Sequence, residues 1–298
     1  HPMPHTSAHD LRRGYLNALG VVGIWASFIV FSRMSGTSTL TAYDVIGLRY
    51  ITALVVIVPL WLYYRTPLFE WRKLVLTLIG AIGFTLFAFN GFRHAPANHA
   101  AMLLQGAMPF SVAIITYFLS RELPSRQRLT GLALIAIGIG AMAFDSFHAT
   151  SSTLLGDGLL VGAGLCWATY TVLLRRWHYK PMDATIAVTL LAAIIYLPVY
   201  LAFLPKNLAA SPLSELVAYG IFQGILVAII QMIFYTRAVY FLGATRFSML
   251  ASIVPVLASL GAVPILGEPL TVFIIIGLFF TCAGAWVGNR RERTLESK

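Results

Sequence analysis

Charged residues are scarce in this chain. Asp, Glu, Lys and Arg make up 11% of its 298 residues, where a soluble domain carries about 25%. So few charges cannot cover a water-soluble fold of this length. With 58% of residues hydrophobic, lipid is the natural solvent. Cysteine is nearly absent too. Cys166 and Cys282 lie inside apolar runs, form no metal-binding spacing and build no disulfide framework. The middles of the apolar runs lack Asp, Glu and Lys. That removes the buried carboxylate of ion-coupled transporters and the lysine of a retinal receptor. A His-Glu-x-x-His zinc motif, paired mid-membrane acids and a phosphate-binding glycine loop with Lys are also missing. No metal, cofactor, ATPase subunit or enzymatic chemistry is therefore expected. The net charge of +10 invites a nucleic-acid partner. The basic residues sit between apolar runs and form no patch, which excludes one.

What is present is a series of long apolar runs, each near the roughly 20 residues that cross a bilayer as a helix. Ten are expected, near 14–32, 44–64, 71–92, 96–119, 128–147, 154–174, 184–204, 213–235, 240–266 and 270–289. A β-barrel would show short alternating segments instead. The first run continues too far for a cleavable signal peptide, and His1-Pro2 before Met3 is read as an expression leftover. Lys and Arg set the orientation. With the N-terminus in the cytoplasm, cytoplasmic segments hold 17 of the 21 basic residues. The other side holds Arg33, Arg93 and Lys206, and Arg49 lies within the second span. Both termini, 1–13 and 290–298, are expected inside.

The chain also matches itself. A shift of 142 aligns Gly20 with Gly162, Trp25 with Trp167 and Ala26 with Ala168. A shift of 139 aligns Asp44 with Asp183 and Pro59 with Pro198. A shift of 146 aligns Pro109 with Pro255, Glu122 with Glu268, Gly131 with Gly277 and Gly138 with Gly284. Two five-helix repeats follow, at 14–147 and 154–289. Five is odd, so the second repeat enters the membrane from the opposite side. The expected fold is an all-α membrane bundle of two inverted-topology repeats, an architecture of secondary transporters.

The repeat ends resemble the EamA family of the drug/metabolite transporter superfamily. One copy reads Pro255, then Leu266-Gly267-Glu268-Pro269-Leu270-Thr271, then Gly277 and Gly284. The other reads Pro109, then Ser120-Arg121-Glu122-Leu123, then Gly131 and Gly138. Gly20, Trp25 and Ala26, repeated at Gly162, Trp167 and Ala168, fit the family's repeat starts, and Arg49-Tyr50 fits its second helix. The chain also resembles the YddG-like bacterial amino-acid exporters. The resemblance implies a multi-pass protein of the bacterial cytoplasmic membrane. It implies export of amino acids, aromatic ones included, or related small metabolites by alternating access. Export of another metabolite or drug is the alternative within transport; a membrane enzyme or a ligand sensor without net transport is the alternative outside it. Oligomeric state stays open.

Candidate cavity residues are the polar and aromatic groups within the spans. Trp25 and Trp167 sit at mid-span rather than at an interface, to pack helices or to face substrate. Asn90, Gln105, Gln223 and Gln231 are costly in lipid unless bonded; they bond neighbouring helices or contact substrate. Arg49 snorkels, pairs structurally or attracts a carboxylate. Phe84, Phe89, Tyr170 and Tyr235 wall an aromatic-friendly cavity or pack the core. Pro109 and Pro255 bend matched spans, to gate or to shape the cavity. Ser111 and Ser252 are expected to back-bond to their own helices. Glu122 and Glu268 suit helix N-terminal ends, and His99 a solvated or packing role. The Gly158–Gly162 and Gly284–Gly288 pairs permit close helix contact. The cavity is expected mainly from spans one, three, four, six, eight and nine.

Overall fold

The computed structural model describes residues 8–34, 39–95, 100–146, 154–266 and 271–289. His99, Glu268 and the C-terminal tail lie outside them. The described residues are helical and contain no strand. In lipid a backbone finds no water to bond, so a helix is the form that satisfies each amide within its own segment. In chain order we label the helices α1 (Ala8–Met34), α2 (Ala42–Tyr64), α3 (Trp71–His94), α4 (Ala101–Gly106 and Met108–Ser120), α5 (Arg126–Ser146), α6 (Leu154–Arg176), α7 (Pro181–Phe203), α8 (Leu213–Leu242), α9 (Ala244–Ala251 and Val254–Leu266) and α10 (Val272–Asn289). Eight of these, all but α1 and α4, are long and apolar enough to cross a membrane. α1 starts at Ala8, before the expected Gly14. The boundary between α8 and α9 falls at Gly243, later than the sequence suggests, because Gly243 alone takes a left-handed φ of 82° there.

Helix contacts come in matched pairs. α1 packs on α8 as α6 packs on α3, and α1 packs on α9 as α6 packs on α4. α2 packs on α7, and α5 on α10. The last interface has no room for side chains. A methyl added to Gly131 would lie 2.8 Å from the Gly284 carbonyl oxygen, and one on Gly138 would lie 3.0 Å from that of Gly277. Exchanging each glycine for its repeat partner turns the first contact into the second. That is the signature of a two-fold axis between α5 and α10, which run antiparallel. Gly288 meets Gly131 and Met249, so the Gly284–Gly288 pair serves contacts within the chain. A methyl on Gly158 would meet nothing within 4 Å.

α2 and α7 are tied at both ends by equivalent acids. Asp44 closes a capping box with Thr41 and accepts from the Tyr200 hydroxyl (2.7 Å) and the Asn207 amide (2.9 Å). Its repeat partner Asp183 accepts from Thr66, just past the end of α2 (3.1 Å). α1 begins beside the end of α8, where Gly14 touches Leu242. α10 ends beside the start of α9, where Gly288 touches Met249. The first and last helices therefore begin and end on one side, here called the near side. That side carries an aromatic and cationic girdle. Arg72 lies 5.5 Å from the Trp71 ring and 5.8 Å from Trp177. Tyr179 donates to Glu70, and burial first of all pushes its phenol above the ordinary range.

Among the described residues, three stretches are wound as π-helix: Thr77–Gly83 in α3, Ala101–Gly106 in α4 and Ile221–Gln231 in α8. Each widens the turn and shifts the helical phase of everything after it.

Candidate functional site: a cavity between the repeats

The prolines sit where helices restart. Pro109 lies in the first turn of Met108–Ser120, after the π stretch of α4. Pro255 is the second residue of Val254–Leu266, after the break at Ser252 and Ile253. The missing N–H thus falls where the backbone ladder is already interrupted. Ser252 back-bonds to the Met249 carbonyl (2.7 Å). Glu122 is exposed in the loop before α5.

The helices enclose a cavity of about 60 Å³ in the middle and far half of the bundle. That is room for about four waters, so an amino-acid-sized molecule fits only when the walls part. α1 contributes Trp25 and Phe28, and α2 contributes Arg49. α3 presents Phe84, Ala88, Phe89 and Phe92. Leu104 and Gln105 come from the π stretch of α4, Trp167 from α6, and Gln223, Val227 and Gln231 from the π stretch of α8. Both repeats therefore build it. Trp25, Trp167, Phe84, Phe89, Arg49, Gln105, Gln223 and Gln231, singled out from sequence, come together here.

The rest lie elsewhere. Asn90 points away from Phe89 on α3, back-bonds to the Leu86 carbonyl (2.8 Å) and lines a second, more open groove of about 670 Å³ with Tyr43, Leu86 and Tyr196. Tyr170 and Tyr235 are fully buried below the cavity, where the Tyr235 hydroxyl bonds Thr171. They form the cavity's near-side floor rather than its lining. Rings of Trp25 and Trp167 meet edge-on at 6.2 Å. Trp167 stands 4.8 Å from Tyr235 and 5.4 Å from Tyr170, and Tyr235 stands 4.9 Å from Phe247. No described side chain of span nine lines the cavity; its Phe247 seals the floor, and α2 lines the cavity instead.

Asymmetry between the repeats opens the far half. The contacts of Gly20 with Phe234 and of Gly162 with Phe87 align α8 with α3 at a shift of 147. Tyr235 then corresponds to Ala88; Phe247, at the shift of 146 that pairs Pro109 with Pro255, corresponds to Ala101. Large rings close the near half where alanines leave space in the far half.

The polar groups gather on one wall. Gly224 lets α8 approach α2 so closely that a methyl there would lie 2.7 Å from the Arg49 carbonyl oxygen. This brings Gln223 beside Arg49, whose Nη1 donates to Gln223 Oε1 at 3.5 Å. Arg49 is 8% exposed, Gln223 2% and Gln231 1%. Arg49 Nε, Gln231 Nε2 and Gln105 Oε1 have no partner. Buried polar atoms are normally bonded, so these mark places where a guest molecule would bond. The repeat counterpart of Arg49 is Val188, buried on α7; the fold itself does not call for a charge here. No three His, Cys, Asp or Glu among the described residues could hold a metal.

The sequence profile of the EamA-like transporter family matches twice, over residues 12–144 and 154–290. The chain belongs to the EamA-like transporter family. Two copies of the family unit coincide with the two repeats, and the family is one of transporters, not enzymes. A threonine/homoserine exporter of Salmonella typhimurium (RhtA) is 29% identical over 68% of this chain and 72% of its own. A Salmonella typhimurium protein described as a probable amino-acid metabolite efflux pump is 25% identical over 94% and 97%. A Bacillus subtilis protein described as an uncharacterized transporter, YyaM, is 25% identical over 71% and 70%. One crystal structure superimposes with a TM-score of 0.72 at 17% identity, covering 92% of this chain and 96% of the other; it supports the fold alone.

Phe28, Ala88, Phe92, Leu104 and Val227 were not singled out from sequence. Helical spacing offers a signal for most of them. Phe84, Ala88 and Phe92 are four apart, as are Gln223, Val227 and Gln231, and Phe28 follows Trp25 by three.

Proposed function

We propose that this multi-pass membrane protein exports amino acids, aromatic ones among them, or related small metabolites across the bacterial cytoplasmic membrane by alternating access. The chain crosses ten times as two inverted repeats, with both termini in the cytoplasm. The observation that carries this reading is the cavity between the repeats, shut on its near side, with a buried, unpaired Arg49 edge beside Gln223. A guanidinium in such a site attracts a substrate carboxylate, while the ring walls accept an apolar body. The glutamines take the remaining polar atoms. Pro109 and Pro255 mark the breaks about which α4 and α9 bend as the floor opens and the far side closes. The floor of Trp25, Trp167, Tyr235 and Phe247 keeps the near, cytoplasmic side shut in this state. Two repeats of equivalent build exchange these roles at small energetic cost. The amino-acid names of two relatives support the substrate class. Reconstituted vesicles test the reading. Labelled amino acid should accumulate transiently against unlabelled solute inside. A sensor or structural protein would give none of this counterflow.

A further inference from the structure

The cavity wall carries one positive charge and no negative one. No Asp or Glu among the described residues lines it. Asp44, toward the far mouth, is already held by Thr41, Tyr200 and Asn207. The buried polar atoms of the lining without a partner are the donors Arg49 Nε, Gln231 Nε2 and Trp167 Nε1 and the acceptor Gln105 Oε1. Gln223 Oε1 already receives Arg49.

A zwitterionic amino acid entering this space would find a partner for its carboxylate but no carboxylate for its ammonium. A buried charge without an opposite charge is strongly disfavoured. An acid whose second carbon bears a hydroxyl or keto group escapes that penalty. Its carboxylate pairs with Arg49 and a hydroxyl donates to Gln105. Resting on the transport reading above, we infer that the preferred cargo is an apolar organic monoanion, such as a 2-hydroxy or 2-oxo acid, rather than the zwitterion of the same skeleton. The absence of a mid-span carboxylate then has a use. An anion leaves a negative-inside cell down the electrical gradient, so no proton or sodium carrier is needed. A potential of 100 mV supports an anion gradient of about 50-fold.

Counterflow in proteoliposomes decides this with 3-phenyllactate and phenylalanine, matched in skeleton and differing in hydroxyl against ammonium. Protein-free vesicles correct for leakage. The 3-phenyllactate rate should exceed that of phenylalanine at least tenfold. A valinomycin–potassium potential, negative inside, should drive its net exit. Arg49→Gln should abolish the preference, and Arg49→Lys, which keeps the charge, should retain it. Phenylalanine moving as fast or faster overturns the inference and leaves transport standing, as does threonine moving where neither aromatic acid does. A folded Arg49→Lys protein that loses the preference also overturns it. Counterflow of no compound overturns the transport reading and the inference with it.

Discussion

Arg49 and Trp167 show how differently single residues were legible. A lone cation inside an apolar run is conspicuous, because lipid tolerates it only with a purpose. The three glutamines of the wall stood out for the same reason. Aromatic rings do not stand out in such a sequence, since they pack cores and belts everywhere. Phe28 and Phe92 were therefore passed over although their helical spacing from Trp25 and Phe84 fits the same face, and Tyr170 and Tyr235, named as cavity walls or core, lie beneath the lining. Asn90 lines the other groove because a polar residue in an apolar run does not by itself say which face of its helix it occupies. Trp25 and Trp167 turn out to do two things at once: they line the cavity and pack into the aromatic floor. Trp167 also sits 4.7 Å from Phe84. Trp167→Ala should therefore lower stability by about 3 kcal/mol or more as well as transport. Trp167→Phe should keep most of the stability. Thermal melts in detergent beside transport rates measure both; a Trp167→Ala protein that melts like the parent would remove the ring from the core.

At the scale of helices, the eight helices long and apolar enough to cross a membrane fall on expected apolar runs. What they could not reveal is how closely the elements approach. Glycine is common in membrane helices, so its presence alone does not say which copies touch. The structure separates them. On α5, a methyl at Gly131 would meet backbone atoms of α10 at 2.8–2.9 Å, whereas one at Gly140 meets nothing within 4 Å. Gly131→Val should push α5 from α10 and destabilise by about 1–3 kcal/mol. Gly140→Ala should be neutral or mildly stabilising, by up to about 1 kcal/mol. Melting temperatures of the two variants should move in opposite directions or one should not move at all. Equal losses would mean that the α5–α10 contact is not the tight one.

For the whole molecule, the repeat was the most legible feature. Trp, Pro, Glu and Asp recur in order, and the contacts of α5 with α10 and of α2 with α7 obey the same two-fold relation. The departures from symmetry were not legible, because they matter only once the helices are superimposed. Alanines at Ala88 and Ala101 opposite Tyr235 and Phe247 set which half is open. The topology that accompanies this arrangement predicts that Asn207→Cys reacts with an impermeant thiol reagent from outside intact cells. Ser125→Cys should react only after the membrane is opened. The reverse pattern would turn the molecule over. The central claim is that substrate is carried through the cavity at Arg49, and counterflow by wild-type and Arg49→Gln protein tests it most directly. Vesicles of equal protein content, with equal melting temperatures for the two proteins, are loaded with unlabelled substrate and given label outside. A transient overshoot in wild type that falls at least tenfold in Arg49→Gln is the predicted result. An undiminished overshoot in the folded variant would contradict it.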